Sequence, residues 1–143
     1  MREIKFRGYD KNSKCWRYGY YMQKNDTILC IASPEQRESN EHHLILFSGF
    51  CDWNMPLPYY QAEVDGNSLG QYIGSKDKNS KEIFEGDIVR HNGNIFLVKY
   101  FVKYGRFACS TNKEMNKLDM CILNFEACEI VGNIYENEEL IKN

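Results

Sequence analysis

GQYIGSKDKNSKEIFEGDIV, residues 70–89, sets two short apolar runs on either side of a polar pentapeptide, and its reading decides the fold class. The pentapeptide DKNSK stands at residues 77–81 and again at 10–14, and in that alignment Gly19 falls on Gly86. Strand-like runs flank both copies. Before the first, Ile4, Phe6 and Gly8 alternate with Lys5, Arg7 and Tyr9; after it, CWRYGYYM places Trp16, Tyr18 and Tyr20 on one face. Period-two alternation is the signature of a strand. In such a turn Asp accepts main-chain N–H bonds, and Asn tolerates the left-handed backbone that hairpin loops need. The flanks differ in other respects, so the repeat predicts two similar hairpins rather than a duplicated domain.

The rest of the chain continues in short strands. Residues 26–32 (DTILCIA) read as a strand, 33–42 as an exposed loop, and 43–50 (HLILFSGF) as a buried strand. Residues 51–60 hold two of the three prolines, so they form a loop or an edge and not a central strand. YYQAEV is strand-like and turns at Asp65-Gly66-Asn67. Farther on, Asp87 to Arg90, a turn at His91-Asn92-Gly93-Asn94, and IFLVKYFV give strand, turn, strand. Another turn at Tyr104-Gly105-Arg106 leads into FACST, then a polar loop or helical turn (NKEMNKLDM), one or two last strands within residues 121–135, and a short terminal helix. Ten Tyr, eight Phe and two Trp strengthen the β expectation. The expected architecture is mainly β with little helix. A hairpin-rich region with irregular insertions, residues 1–66, packs with a small SH3-like β-barrel, residues 67–143.

Composition narrows the function classes. No stretch approaches the roughly 20 apolar residues of a membrane span, and the N-terminus carries no apolar signal segment, so a cytoplasmic protein is expected. Six cysteines at 15, 30, 51, 109, 121 and 128 form no C-x-x-C pair and several sit among apolar neighbours, which predicts reduced, structural thiols. Net charge is −2 but unevenly spread. Residues 88–113 carry five bases and no acid, whereas 114–143 carry seven acids against two bases. That asymmetry suits either a surface for a polyanion or mutual neutralisation of the two segments.

His42 and His43 are adjacent, so in a strand they point to opposite faces and cannot share one metal ion. DKNSKEIFEGD lacks the alternating acids and closing Glu of a calcium loop. No phosphate loop is present, and the scattered glycines read as turn formers. The three histidines give no base placed for a nucleophile. Glu85 and Asp87 flank a glycine, and Asp87 is read as an acceptor of main-chain N–H bonds in a turn. No catalytic residue, metal or cofactor is expected. The remaining candidate is a nucleic-acid surface in which Arg90, Lys99, Lys103 and Arg106 interleave with aromatics including Tyr100 and Tyr104, the ingredients of single-strand binding on a small β-barrel.

Three stretches together, MREIKFRGYDKNSK, GQYIGSKDKNSKEIFEGDIV and EIVGNIYENEEL, resemble the YopX family of phages and prophages. Where related sequences carry Thr-Gly after the Gln-Tyr of the middle motif, this chain has Ile73-Gly74; residues 26–62 carry none of the resemblance. The resemblance implies a small, predominantly β protein made in the host cytoplasm, with no catalytic residue to transfer. The expected function is therefore a non-enzymatic accessory protein that binds a host or phage macromolecule, with a nucleic-acid-binding module as the alternative. Exposed aromatic edges and segregated charge add a homo-oligomer to the expected assemblies.

Overall fold

The computed structural model describes residues 1, 3–25, 33–35, 41–49, 58–111, 120–121 and 124–141. The protein is mainly β, built on antiparallel sheets, and carries short 3-10 turns such as Gly66–Ser68 and Glu138–Leu140. Two compact units are present: Lys5–Leu69, and Gly70–Asn143 together with Met1–Ile4.

In the N-terminal unit β1 (Phe6–Asp10), β2 (Cys15–Asn25), β3 (Glu41–Ser48) and β4 (Tyr59–Glu63) pair in chain order. The registers Arg7↔Tyr18, Tyr20↔Leu46 and Ser48↔Tyr59 fix which side chains share a face. One face carries Phe6, Tyr21, His43, Ile45 and Phe47, and Ile45 on it is fully buried. The other carries Trp16, Tyr18, Tyr20, Met22, Leu44, Leu46 and Tyr59, so the three aromatics of β2 expected on one face are found there. Gly19 is required by close approach, because a Cβ there would run into the Leu46 carbonyl. The expected strand at 26–32 lies outside the described residues. The expected buried strand at 43–50 is β3, buried only at Leu44 and Ile45 and exposed by Ser48.

The C-terminal unit contains the hairpin of β5 (Gly70–Lys76) and β6 (Glu82–Phe84). It also contains a five-stranded sheet in the order β10 (Met120–Cys121), β9 (Arg106–Ser110), β8 (Asn94–Phe101), β7 (Asp87–His91), β11 (Glu129–Asn133). Apolar side chains cover both faces of this sheet. Val89, Phe96, Val98 and Cys109 pack with Ile83 and Cys128 on one side, and Ile88 and Leu97 pack with Ile141 on the other. Burial on both faces explains why β8 reads IFLV without alternation. Each such side chain contributes about 1.5–3 kcal/mol when fully buried. Cys15, Cys109 and Cys128 are free thiols, and burial, helped by the Asp77 charge, pushes the Cys128 thiol up.

The expected small barrel takes the form of an open ladder: β10 and β11 end it, and no described strand joins them. β11 is offset between Ile130 and Gly132, so that end offers no long regular edge for closure. The β7–β8 turn places Asn92 (φ 49°) and Gly93 (φ 81°) in the left-handed region, as an Asn-Gly hairpin turn demands.

Both DKNSK copies are hairpin turns, with Asp as the acceptor in each. Asp10 Oδ1 accepts the N–H groups of Asn12 (2.9 Å) and Ser13 (3.0 Å), and the Arg17 Nε donates to Oδ2 at 3.3 Å. Asp77 Oδ1 accepts from Asn79 (2.8 Å) and Lys81 (2.9 Å), and its Oδ2 accepts from Ile130 at 3.2 Å. The left-handed residue is not the expected Asn in either copy but Lys14 (φ 51°) and Ser80 (φ 64°). Asp87 also acts as expected: 1% exposed, it accepts the Phe84 N–H at 2.8 Å.

Candidate functional site

The sequence-predicted basic and aromatic residues fall on β7, β8, β9 and the 3-10 turn Val102–Tyr104 between the last two strands. The registers Arg90↔Ile95, Lys99↔Ala108 and Phe101↔Arg106 put Arg90, Lys99 and Arg106 on one face. Arg90 is nonetheless remote, since four residues of β8 separate its pairing position from Lys99, roughly 13 Å of strand. The structure brings together Lys103, Tyr104 and Arg106. Lys103 Nζ stands 6.0 Å and Arg106 Cζ 5.9 Å from the Tyr104 ring centre, and all three side chains are exposed. At that range a cation–π contact on the surface contributes about 0.5 kcal/mol. Gly105, left-handed at φ 59°, closes the turn by donating its N–H to the Val102 carbonyl at 3.2 Å.

Tyr100 and Lys99 behave differently. Tyr100 lies on the opposite face, its ring edge-on to Phe107 with centres 5.0 Å apart. Its N–H donates to Glu85 Oε1 at 3.1 Å. The Lys99 ammonium is partly buried, which holds it below its usual range, and the Glu85 carboxylate offsets part of that effect. Glu85 thus places an anion inside the expected phosphate track. Sequence reasoning assigned it only to a turn, since no spacing rule links it to Lys99. The main-chain link is the Gly86 N–H, which donates to the Val98 carbonyl at 2.9 Å and draws the Glu85-Gly86 turn against β8.

The histidines diverge as adjacent strand residues must. His42 Nδ1 meets Glu63 Oε1 at 2.8 Å, whereas His43 Nδ1 meets the Tyr21 hydroxyl at 2.8 Å on the other face. His43 Nε2 is 3.8 Å from Glu41 Oε1, and the Gln23 side-chain amide donates to Glu41 as well. Burial, then the Glu41 charge, push the Tyr21 phenol up, so it stays protonated as a hydrogen-bonding group and is a poor nucleophile. Among the described residues no group of three or more His, Cys, Asp or Glu side chains is placed to hold a metal ion. No helix among them is long and apolar enough to cross a membrane.

Two other surface features remain. Beside the β7–β8 turn lies a cleft of about 480 Å³, lined by residues 93–96 with Thr111, Leu140 and Ile141. Its side chains are apolar apart from the Asn94 amide and the Thr111 hydroxyl, and main-chain groups add further polar surface. On the N-terminal sheet, Tyr18, Tyr20 and Tyr59 are 49%, 65% and 70% exposed on a single face, with Met22, two residues beyond Tyr20 on that face, 38% exposed.

Comparison with known proteins places the chain. The crystal structure of protein EF1440 from Enterococcus faecalis is similar over 99% of this chain and 100% of that one, with 23% identity and a TM-score of 0.49. No curated protein matches. A family model described as YopX protein matches residues 5–142, nearly the whole length. The chain belongs to the YopX protein family.

Proposed function

We propose that this protein is a non-enzymatic accessory protein of a phage or prophage, which acts in the host cytoplasm by holding a host or phage macromolecule against the aromatic face of its N-terminal sheet. The observation that carries the proposal is the shared face of Tyr18, Tyr20 and Tyr59, each about half exposed or more. Contiguous exposed apolar surface marks interaction sites, and tyrosine supplies rigid contact area at small entropic cost. The phage setting rests on the family resemblance. The cleft of the C-terminal unit, whose side chains offer one amide and one hydroxyl as polar groups, suits holding a ligand better than moving a proton. An SH3-like reading of that unit is supported by strand order, because a four-strand meander is followed by a 3-10 turn and a last strand that returns to the first.

The test uses immobilised wild type and a Tyr18→Ser/Tyr20→Ser variant, each exposed to host lysate with quantitative readout of retained species. A species kept by wild type and depleted roughly tenfold by the variant is expected, on the scale of losing two interface aromatics. Equal retention by both proteins refutes the assignment of that face.

A second reading, nucleic-acid binding, is supported by Lys103 and Arg106 flanking the exposed ring of Tyr104. Arg90 is too far away to belong to that cluster, and Lys99 is matched with Glu85, so the surface is smaller than its sequence suggests.

A further inference from the structure

Among the described residues β4 ends the N-terminal sheet, and its outer edge has a definite phase. The Val64 N–H donates to the His43 carbonyl and the Gly49 N–H to the Pro58 carbonyl, both at 2.9 Å. With the unbroken register Leu44↔Glu63 to Ser48↔Tyr59, residues 58, 60, 62 and 64 turn their peptide groups toward β3. Tyr59, Gln61 and Glu63 therefore turn theirs outward, because the two sets alternate along an antiparallel strand.

Natural sheets blunt such edges with short strands, bulges, lysines or prolines. Two other end strands are blunted in this way: β6 has three residues, and β11 is offset between Ile130 and Gly132. β4 runs five residues in regular register with neither Lys nor Pro, and Tyr59 and Tyr60 on it are 70% and 51% exposed.

We propose that β4 pairs with β4 of a second copy of this chain, antiparallel about a two-fold axis at Gln61, so that the two N-terminal sheets continue into one another. The sequence of the strand is complementary to itself in that register. Gln61 meets its own counterpart, amide to amide. Tyr60, whose ring already lies over Gly49, faces the small Ala62. Tyr59 faces Glu63, a phenol hydroxyl opposite a carboxylate. The outward peptide groups of 59, 61 and 63 are in phase for this pairing, and each facing pair exchanges both of its main-chain bonds. The two Glu63 carboxylates lie at opposite ends of the pairing, about 14 Å apart along the strands. At that distance physiological salt screens most of their repulsion. A foreign strand would find the same peptide groups without these side-chain matches. The interface shares Tyr59 with the binding face proposed above, but it rests on the main-chain phase of β4 and not on that reading.

Sedimentation velocity of the full chain over a concentration series tests it, with Gln61→Lys and Gln61→Pro alongside wild type. Lysine at 61 sets like charges directly opposite one another across the axis. Proline removes an outward N–H that β3 does not use, which a free edge tolerates. Wild type is expected to dimerise, and each variant to weaken the dimer roughly tenfold or more, which is about 1.4 kcal/mol. Circular-dichroism melts of the variants should stay like wild type; if proline disturbs the fold, the lysine variant decides alone. A wild type that stays monomeric throughout overturns the proposal, as does a Gln61→Lys dimer of undiminished affinity. A monomer whose β4 edge takes up an unrelated strand peptide overturns it in favour of a foreign occupant.

Discussion

Truncating Asp77 to alanine separates a structural clamp from a surface loop. The carboxylate is 4% exposed and accepts three main-chain N–H groups, two from its own turn and one from Ile130 on β11, 53 residues away. A hydrogen bond to a charged acceptor contributes about 1.5–3 kcal/mol net. After truncation, water recovers part of the two bonds within the turn, whereas the Ile130 N–H loses the acceptor that ties β11 to the β5–β6 hairpin. The expected cost is therefore about 3 kcal/mol rather than three times a single bond. The first repeat supplies the control. Asp10 has the same neighbours in sequence but bonds only within its own hairpin, so Asp10→Ala should cost distinctly less. Urea unfolding by far-ultraviolet circular dichroism gives the free energies, and hydrogen exchange at the Ile130 amide reports the clamp locally. The pH dependence has a definite sign. Burial opposes ionisation of Asp77, but the N–H bonds from Lys81, Ile130 and Asn79 outweigh it and hold the carboxyl below its usual range. A lowered folded value means that the unfolded chain binds more protons between the two values. The contribution is thus complete above the unfolded carboxyl value of about 3.9 and is lost as pH falls through the folded one. The gap between wild type and Asp77→Ala should narrow on acidification below about pH 4. A loss under about 1 kcal/mol, a loss equal to that of Asp10→Ala, or a gap that does not narrow in acid would each refute the clamp.

Asp87→Ala removes a buried acceptor from the Phe84 N–H and should lower stability by about 2 kcal/mol; a melt like wild type would show that the bond is dispensable. Lys103→Glu with Arg106→Glu should weaken single-stranded DNA or RNA binding roughly tenfold at low salt and flatten the salt dependence, while Arg90→Glu leaves affinity within about twofold. Fluorescence titrations at two salt concentrations check this, and equal losses at the two places, or no binding by wild type, would dispose of the nucleic-acid reading.

What the sequence discloses here is mostly what is local. Asp10 and Asp77 are legible as turn acceptors because their partners within the turn lie no more than four residues away, at the second and third residues after Asp10 and at the second and fourth after Asp77. The left-handed position is not legible, because strand register sets it. Asp10↔Cys15 closes the first loop and strains Lys14, whereas Lys76↔Glu82 closes the second one residue longer and strains Ser80. The strands of the C-terminal unit show in the apolar runs, yet how the described ladder ends depends on the offset in β11, which no periodicity carries. The candidate surface is narrower than the sequence suggests for the same reason. Residues 88–113 contain no acid in sequence, but the Gly86–Val98 hydrogen bond brings Glu85 against Lys99 and Tyr100. A charge count along the chain cannot see an acid delivered from the preceding turn, so it overstates the basic surface by the charge that Lys99 shares with Glu85. What survives is Lys103, Tyr104 and Arg106, whose proximity follows from a single tight turn and is local once more.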